Sequence, residues 1–197
     1  MFSPSDESEL GSEYLREGYI IRDVADVAQE WIVTATARLA AEQLNAQVPS
    51  SPASSVDFLN KVHTLVSSKD LNEFRLKVIQ GLNSLPTLRS AYFSLARPFL
   101  EEIVGNELAM QQRVNLSVQL PGDSSSLLAV HADTWSGDSP YEVVVWLPLV
   151  DCYATKSMYL LPPKHAEDFN RSFKERLATP ACAVFKRAVE ILCVLRW

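Results

Sequence analysis

The sequence predicts an α+β domain in which helices pack on the outside of a β-sandwich or jelly roll. Apolar residues recur at helical spacing from about residue 22 to 108. From Met110 the period becomes alternating, and short apolar runs separated by turn residues continue to about residue 165. A chain of 197 residues suits one domain and is long enough to bury a real core.

Residues 1–15 are polar and are expected to be mobile. Glu17 to Ile21 reads as a short strand leading into Asp23, a candidate helix N-cap. Val24, Val27, Trp31, Ala35 and Leu39 then fall at helical spacing, and this helix should run to about Gln47. Pro49-Ser50-Ser51-Pro52 is a breaker cluster that marks a loop. More helical pattern follows to about Gly105.

Arg113 to Leu120 alternates polar and apolar residues, as a strand covered on one side does, and Pro121-Gly122-Asp123 supplies the turn that ends it. Ser126 to Val130 is a second strand-like run. Tyr141 to Val150, almost all apolar and rich in β-branched and aromatic residues, should be a strand buried on both faces. Ser157 to Leu161 is a further strand that stops at Pro162-Pro163.

Composition narrows the function classes. A net charge of -6 and a pI near 5.1 argue against a nucleic-acid groove or an anionic membrane surface. The first residues carry Asp6, Glu7, Glu9 and Glu13 where a secretory signal needs a basic start, and no apolar stretch reaches the roughly 18 residues of a membrane span. Cys152, Cys182 and Cys193 are an odd number without metal-ligand spacing, which favours a reduced, cytoplasmic compartment. Gly-rich phosphate loops are absent, as are a Gly-x-Ser-x-Gly elbow and a suggestive Cys-His pairing.

The most informative feature is His131-Ala132-Asp133, just after the Ser126–Val130 run. Side chains two apart in an extended segment point the same way. An imidazole nitrogen and a carboxylate oxygen on one face make two corners of the two-His-one-carboxylate triad of non-haem Fe(II), which leaves positions open for co-substrate and oxygen. Asn115 and Gln119, four residues apart, share the polar face of the preceding strand, either as part of a pocket or as a wet sheet face. Trp135, Tyr141 and Tyr159 suit a pocket wall, the core or its rim.

Three segments in order carry a family resemblance: His131-Ala132-Asp133, Glu142 to Asp151, and Lys156 to His165. From roughly Glu17 to Lys164 the chain resembles an Fe(II)- and 2-oxoglutarate-dependent oxygenase of the phytanoyl-CoA dioxygenase type. Ala132-Asp133-Thr134-Trp135 and Val150-Asp151-Cys152-Tyr153 are most similar to a bacterial group encoded in carbohydrate-biosynthesis clusters. The resemblance implies a double-stranded β-helix (a cupin-like jelly roll) with His131 and Asp133 as iron ligands and Asn115 and Gln119 as contacts to 2-oxoglutarate. It also implies a small-molecule substrate, sugar-related by its nearest group, with O2 as co-substrate.

The distal histidine is the difficulty. His63 lies in a helical segment upstream of the sheet and reads as a surface or capping residue. His165 follows Asp133 by only 32 residues and matches a histidine that the family does not use for iron. Beyond it, no arginine in a matching strand pairs with the far carboxylate, although Arg113 is placed to substitute from the Asn115 face. From Ala181 to Trp197, 13 of 17 residues are apolar, and no glycine follows Gly137. This atypical tail reads either as a helix, on the spacing of Val184, Ala188, Ile191 and Leu195, or as the product of a reading-frame shift near Pro180 that removes the last strands. The expectation is therefore weak Fe(II) binding and little turnover. A non-enzymatic small-molecule-binding module on the same sandwich is the alternative.

Overall fold

A computed structural model describes residues 4–24, 27–122, 133, 137–139, 141–154, 156–157, 160–163 and 191–196. The chain begins with α1 (Pro4–Glu17), β1 (Tyr19–Asp23) and α2 (Val27–Gln43). It continues through α3 (Pro52–Lys61), a 3-10 turn (Val62–Thr64), α4 (Leu71–Asn83) and α5 (Leu88–Val104). The described strands that follow are β2 (Val143–Trp146) and β3 (Ile191–Arg196). Helices and strands together give the mixed content that the sequence predicts, with β1 already in place before α2.

The first segment departs from expectation. Residues expected to be mobile form α1 from Pro4 onward, because Leu10 and Tyr14, four apart and so on one face, are buried in the core. Gly18 ends this helix at φ +75 with its N–H on the Tyr14 carbonyl. A side chain there would meet Pro163, whose Cγ lies 2.7 Å from the position a Cβ would take, so Gly18 permits both the turn and the contact. Asp23 belongs to β1 and is not a helix N-cap, since α2 starts only at Val27.

The central helix is α2, which packs against α3, α4 and α5. Its buried face is Gln29, Ile32, Val33, Ala35, Thr36, Ala37, Ala40 and Ala41, rotated from the expected stripe, and Val27 is 80% exposed. Alanines let neighbours approach closely, and α4 does so at Gly81, where a Cβ would stand 2.9 Å from Leu39 Cδ2. Pro49 to Pro52 is both a loop and a helix start: Ser51 caps α3 in a reciprocal capping box with Ser54, and Pro52 opens the first turn. Leu71, Phe74, Val78 and Leu82 bury one stripe of α4. Gly105, at φ +85, ends α5 where the sequence places the end of the helical region.

The strands form a three-stranded sheet in the order β1-β3-β2, with both pairings parallel. Cys193 in the central strand stands opposite Ile20 on one side and Val145 on the other. Parallel neighbours need long crossovers, and between β1 and its neighbour β3 the chain passes through α2 to α5 and β2. No jelly roll is formed among the described residues.

Within 109–165, where β structure was expected to dominate, β2 is the only strand among the described residues. The Tyr141–Val150 strand is shortened to four half-buried residues, with Tyr141 89% exposed, so it is not covered on both faces. Leu160 and Leu161 are exposed and outside any strand. Val114, Leu116, Val118 and Leu120 point inward while Asn115, Ser117 and Gln119 are exposed, so the predicted alternation is present without a ladder. In the tail, Ile191 and Leu195 lie in β3, where pairing on both sides overrides their helical spacing. Ser126–Val130 and the tail up to Glu190 lie outside the described residues.

Candidate functional site

Asp133 is half-buried, and its carbonyl accepts the Asp138 N–H at 3.3 Å. The Glu142 N–H is bonded to the Ser139 carbonyl at 3.1 Å, and the Tyr141 N–H to Ser139 Oγ at 3.2 Å. These turns carry Glu142 to the entrance of β2. Burial pushes the Glu142 carboxyl above its ordinary pKa, and the negative charges of Asp138 and Asp133 push it the same way. Asp138 and Asp133 thus both act on the Glu142 carboxyl in front of β2.

His131 lies outside the described residues, as do Trp135, Tyr159 and His165. No group of three or more His, Cys, Asp or Glu side chains among the described residues is arranged to hold a metal ion. Asn115 and Gln119 are both exposed on the outer face of the extended segment. Arg113 is exposed at the start of that segment. His63 is exposed in the 3-10 turn, with Nδ1 3.0 Å from the Asn60 carbonyl, the surface role its helical context predicts.

Sequence reasoning missed how the chain beyond β2 is held. Asn60 of α3 donates from Nδ2 to Asp151 Oδ2 at 3.0 Å and accepts the Asp151 N–H on Oδ1 at 3.2 Å. Lys156 Nζ donates to the same Oδ1 at 2.7 Å and lies 5.5 Å from the centre of the Tyr153 ring. Tyr92 of α5 reaches the Val145 carbonyl in β2 at 2.8 Å. Partners so far apart in sequence leave no local pattern. Asp138 and Glu142 had a signal in the sequence, since they lie within and just after Gly137-Asp138-Ser139-Pro140, the turn-forming residues that precede the apolar run.

An open groove of about 460 Å³, to which Asp133 contributes no lining, lies between the loop after α2 and one side of α3. Val48, Pro49, Phe58 and Leu65 give it an apolar lining, and Asp57 and Lys61 give it charge. No helix among the described residues is long and apolar enough to cross a membrane. No family profile, curated protein or solved structure matches the chain.

Proposed function

We propose that the chain is a non-haem Fe(II)- and 2-oxoglutarate-dependent dioxygenase of the phytanoyl-CoA dioxygenase type, built on a jelly roll and acting on a small, sugar-related molecule. The observation that carries the reading is Asp133, a half-buried carboxylate in a segment of concentrated negative charge just before β2. His131, two residues before Asp133 in the sequence, is the second metal donor of this reading. When bound, the metal with 2-oxoglutarate and O2 supplies hydroxylation of a C–H bond, the co-substrate leaving as succinate and carbon dioxide.

The protein's part is to orient and to exclude water. Asn115 and Gln119 offer amides to the co-substrate, and the Asn60 clasp on Asp151 and Lys156 fixes the chain that follows β2. With two protein donors the metal is held weakly and turnover is low. The reducing, cytoplasmic setting favoured by cysteine usage suits Fe(II).

Anaerobic calorimetric titration of the full chain with Fe(II) and 2-oxoglutarate tests the reading. Asp133→Ala and His131→Ala should each weaken Fe(II) binding tenfold or more, about 1.4 kcal/mol, while His165→Ala leaves it unchanged. Unaltered binding in Asp133→Ala would overturn the metal assignment. The second reading, a binding module without catalysis, is favoured by the groove beside α3, which shares no residue with the candidate centre. It predicts that 2-oxoglutarate, or a sugar, binds equally well with Fe(II) removed.

A further inference from the structure

Val114 to Leu120 alternates between core and solvent yet joins no sheet among the described residues. In an extended chain the N–H and C=O of one residue point to one edge and those of the next to the other. Asn83 of α4 occupies the edge of the even-numbered residues, donating to the Val114 carbonyl at 2.9 Å and accepting the Val114 N–H at 2.8 Å. The opposite edge belongs to Asn115, Ser117 and Gln119, for which no hydrogen bond is found among the described residues. Edges exposed in this way are normally blunted by charge or proline, but there is neither between Val114 and Leu120.

We propose that this edge pairs antiparallel with the same segment of a second copy of the chain, about a two-fold axis through Ser117. The sequence reads nearly the same in both directions from that residue: Leu116 and Val118, Asn115 and Gln119, Val114 and Leu120. The available edge fixes the register. Ser117 stands opposite its own counterpart and Asn115 opposite Gln119, each pair exchanging both N–H···O bonds. Amides then face amides on the outer surface, and Leu116 meets Val118 on the inner one. A two-fold axis perpendicular to the sheet keeps both apolar faces on the same side, where each copy's helices already cover them. Pairing uses neither Asp133 nor His131, so it stands independently of the metal reading.

Sedimentation equilibrium of the full chain should reveal a reversible monomer–dimer system, rising from 22.0 kDa towards twice that mass. Ser117→Pro, which removes the central donor, should hold the chain at the monomer mass, and Ser117→Thr should dimerise as the unaltered chain does. Cysteine cross-linking keeps the test decisive if the proline variant fails to fold. Hydrogen-bonded antiparallel partners have Cα atoms about 5.5 Å apart, within the roughly 4.4–6.8 Å span of a disulfide, so Ser117→Cys should form a 117–117 bridge under mild oxidation. Asn115→Cys should not bridge to itself, because its counterpart lies about 14 Å along the strand, but it should bridge to Gln119→Cys when the two variants are mixed. Peptide mapping by mass spectrometry separates these bridges from any at Cys152, Cys182 or Cys193. A chain monomeric at all concentrations, or Asn115→Cys bridging to itself as readily as Ser117→Cys, would overturn the proposal.

Discussion

Two carboxylates shifted in opposite directions make the acid response of this protein informative. The Arg22 guanidinium, hydrogen-bonded to Glu13 at 2.5 Å, holds the Glu13 carboxyl below its ordinary range, with burial opposing. A lowered folded-state pKa contributes stability above the unfolded value of about 4.3, and that contribution is lost as pH falls through the folded value. Both side chains are about one-third exposed, so the pair is worth at most about 1 kcal/mol. Glu13→Gln should lower urea stability slightly at pH 7 and leave it unchanged at the acid end. For Glu142 the sign reverses: its raised pKa adds nothing below the unfolded value and costs stability once pH exceeds the folded one. Burial is the largest cause and Asp133 a lesser one, so Asp133→Asn should lower the Glu142 pKa without restoring it to the ordinary range. A carboxyl-carbon NMR titration reads this, and a full return to the ordinary value would mean that charge, not burial, dominates.

At the scale of elements, single amides join helices to extended chain. Asn83 forms two hydrogen bonds to the Val114 backbone, in the way a neighbouring strand would. Asn83→Ala leaves a half-buried N–H and C=O without these partners and should cost about 1–3 kcal/mol, read as a lower urea midpoint with unchanged m. Faster amide exchange at Val114 should accompany it, and unchanged exchange there would count against the clasp. The alternation from Val114 to Leu120 was legible because which residues face inward is a local pattern. Ladder formation was not, because it depends on a partner distant in sequence. The same limit explains α2: rich in alanine, with polar Gln29 and Thr36 among its buried residues and apolar Val27 exposed, it carries no clean stripe, so its contacts with α3, α4 and α5 decide which side is buried. Asn60, Asp151 and Lys156 were invisible for the same reason, whereas His131-Ala132-Asp133 could be singled out because its two side chains are adjacent in the chain itself.

At the scale of the molecule, β3 ties distant parts of the chain together, since among the described strands it alone is bonded to both β1 and β2. The composition of Ala181 to Trp197 sets this region apart from the rest of the sequence, yet Ile191–Arg196 takes the central place in the sheet. A central strand tolerates proline least, because the lost N–H and the fixed φ break a ladder that edge strands can leave open. Cys193 stands opposite Ile20 and Val145 at once, so Cys193→Pro should cost about 3 kcal/mol or more. Proline in place of Tyr19, at the first position of edge strand β1, should cost clearly less. Calorimetric unfolding of the two variants makes the comparison. The Cys193 variant should lose many degrees of Tm, while the Tyr19 variant stays close to the unaltered chain. Equal Tm values for Cys193→Pro and the unaltered chain would mean that β1 and β2 are held by the helices alone, through contacts such as Tyr92 to Val145 and Glu13 to Arg22, and that β3 is not needed for cooperative folding.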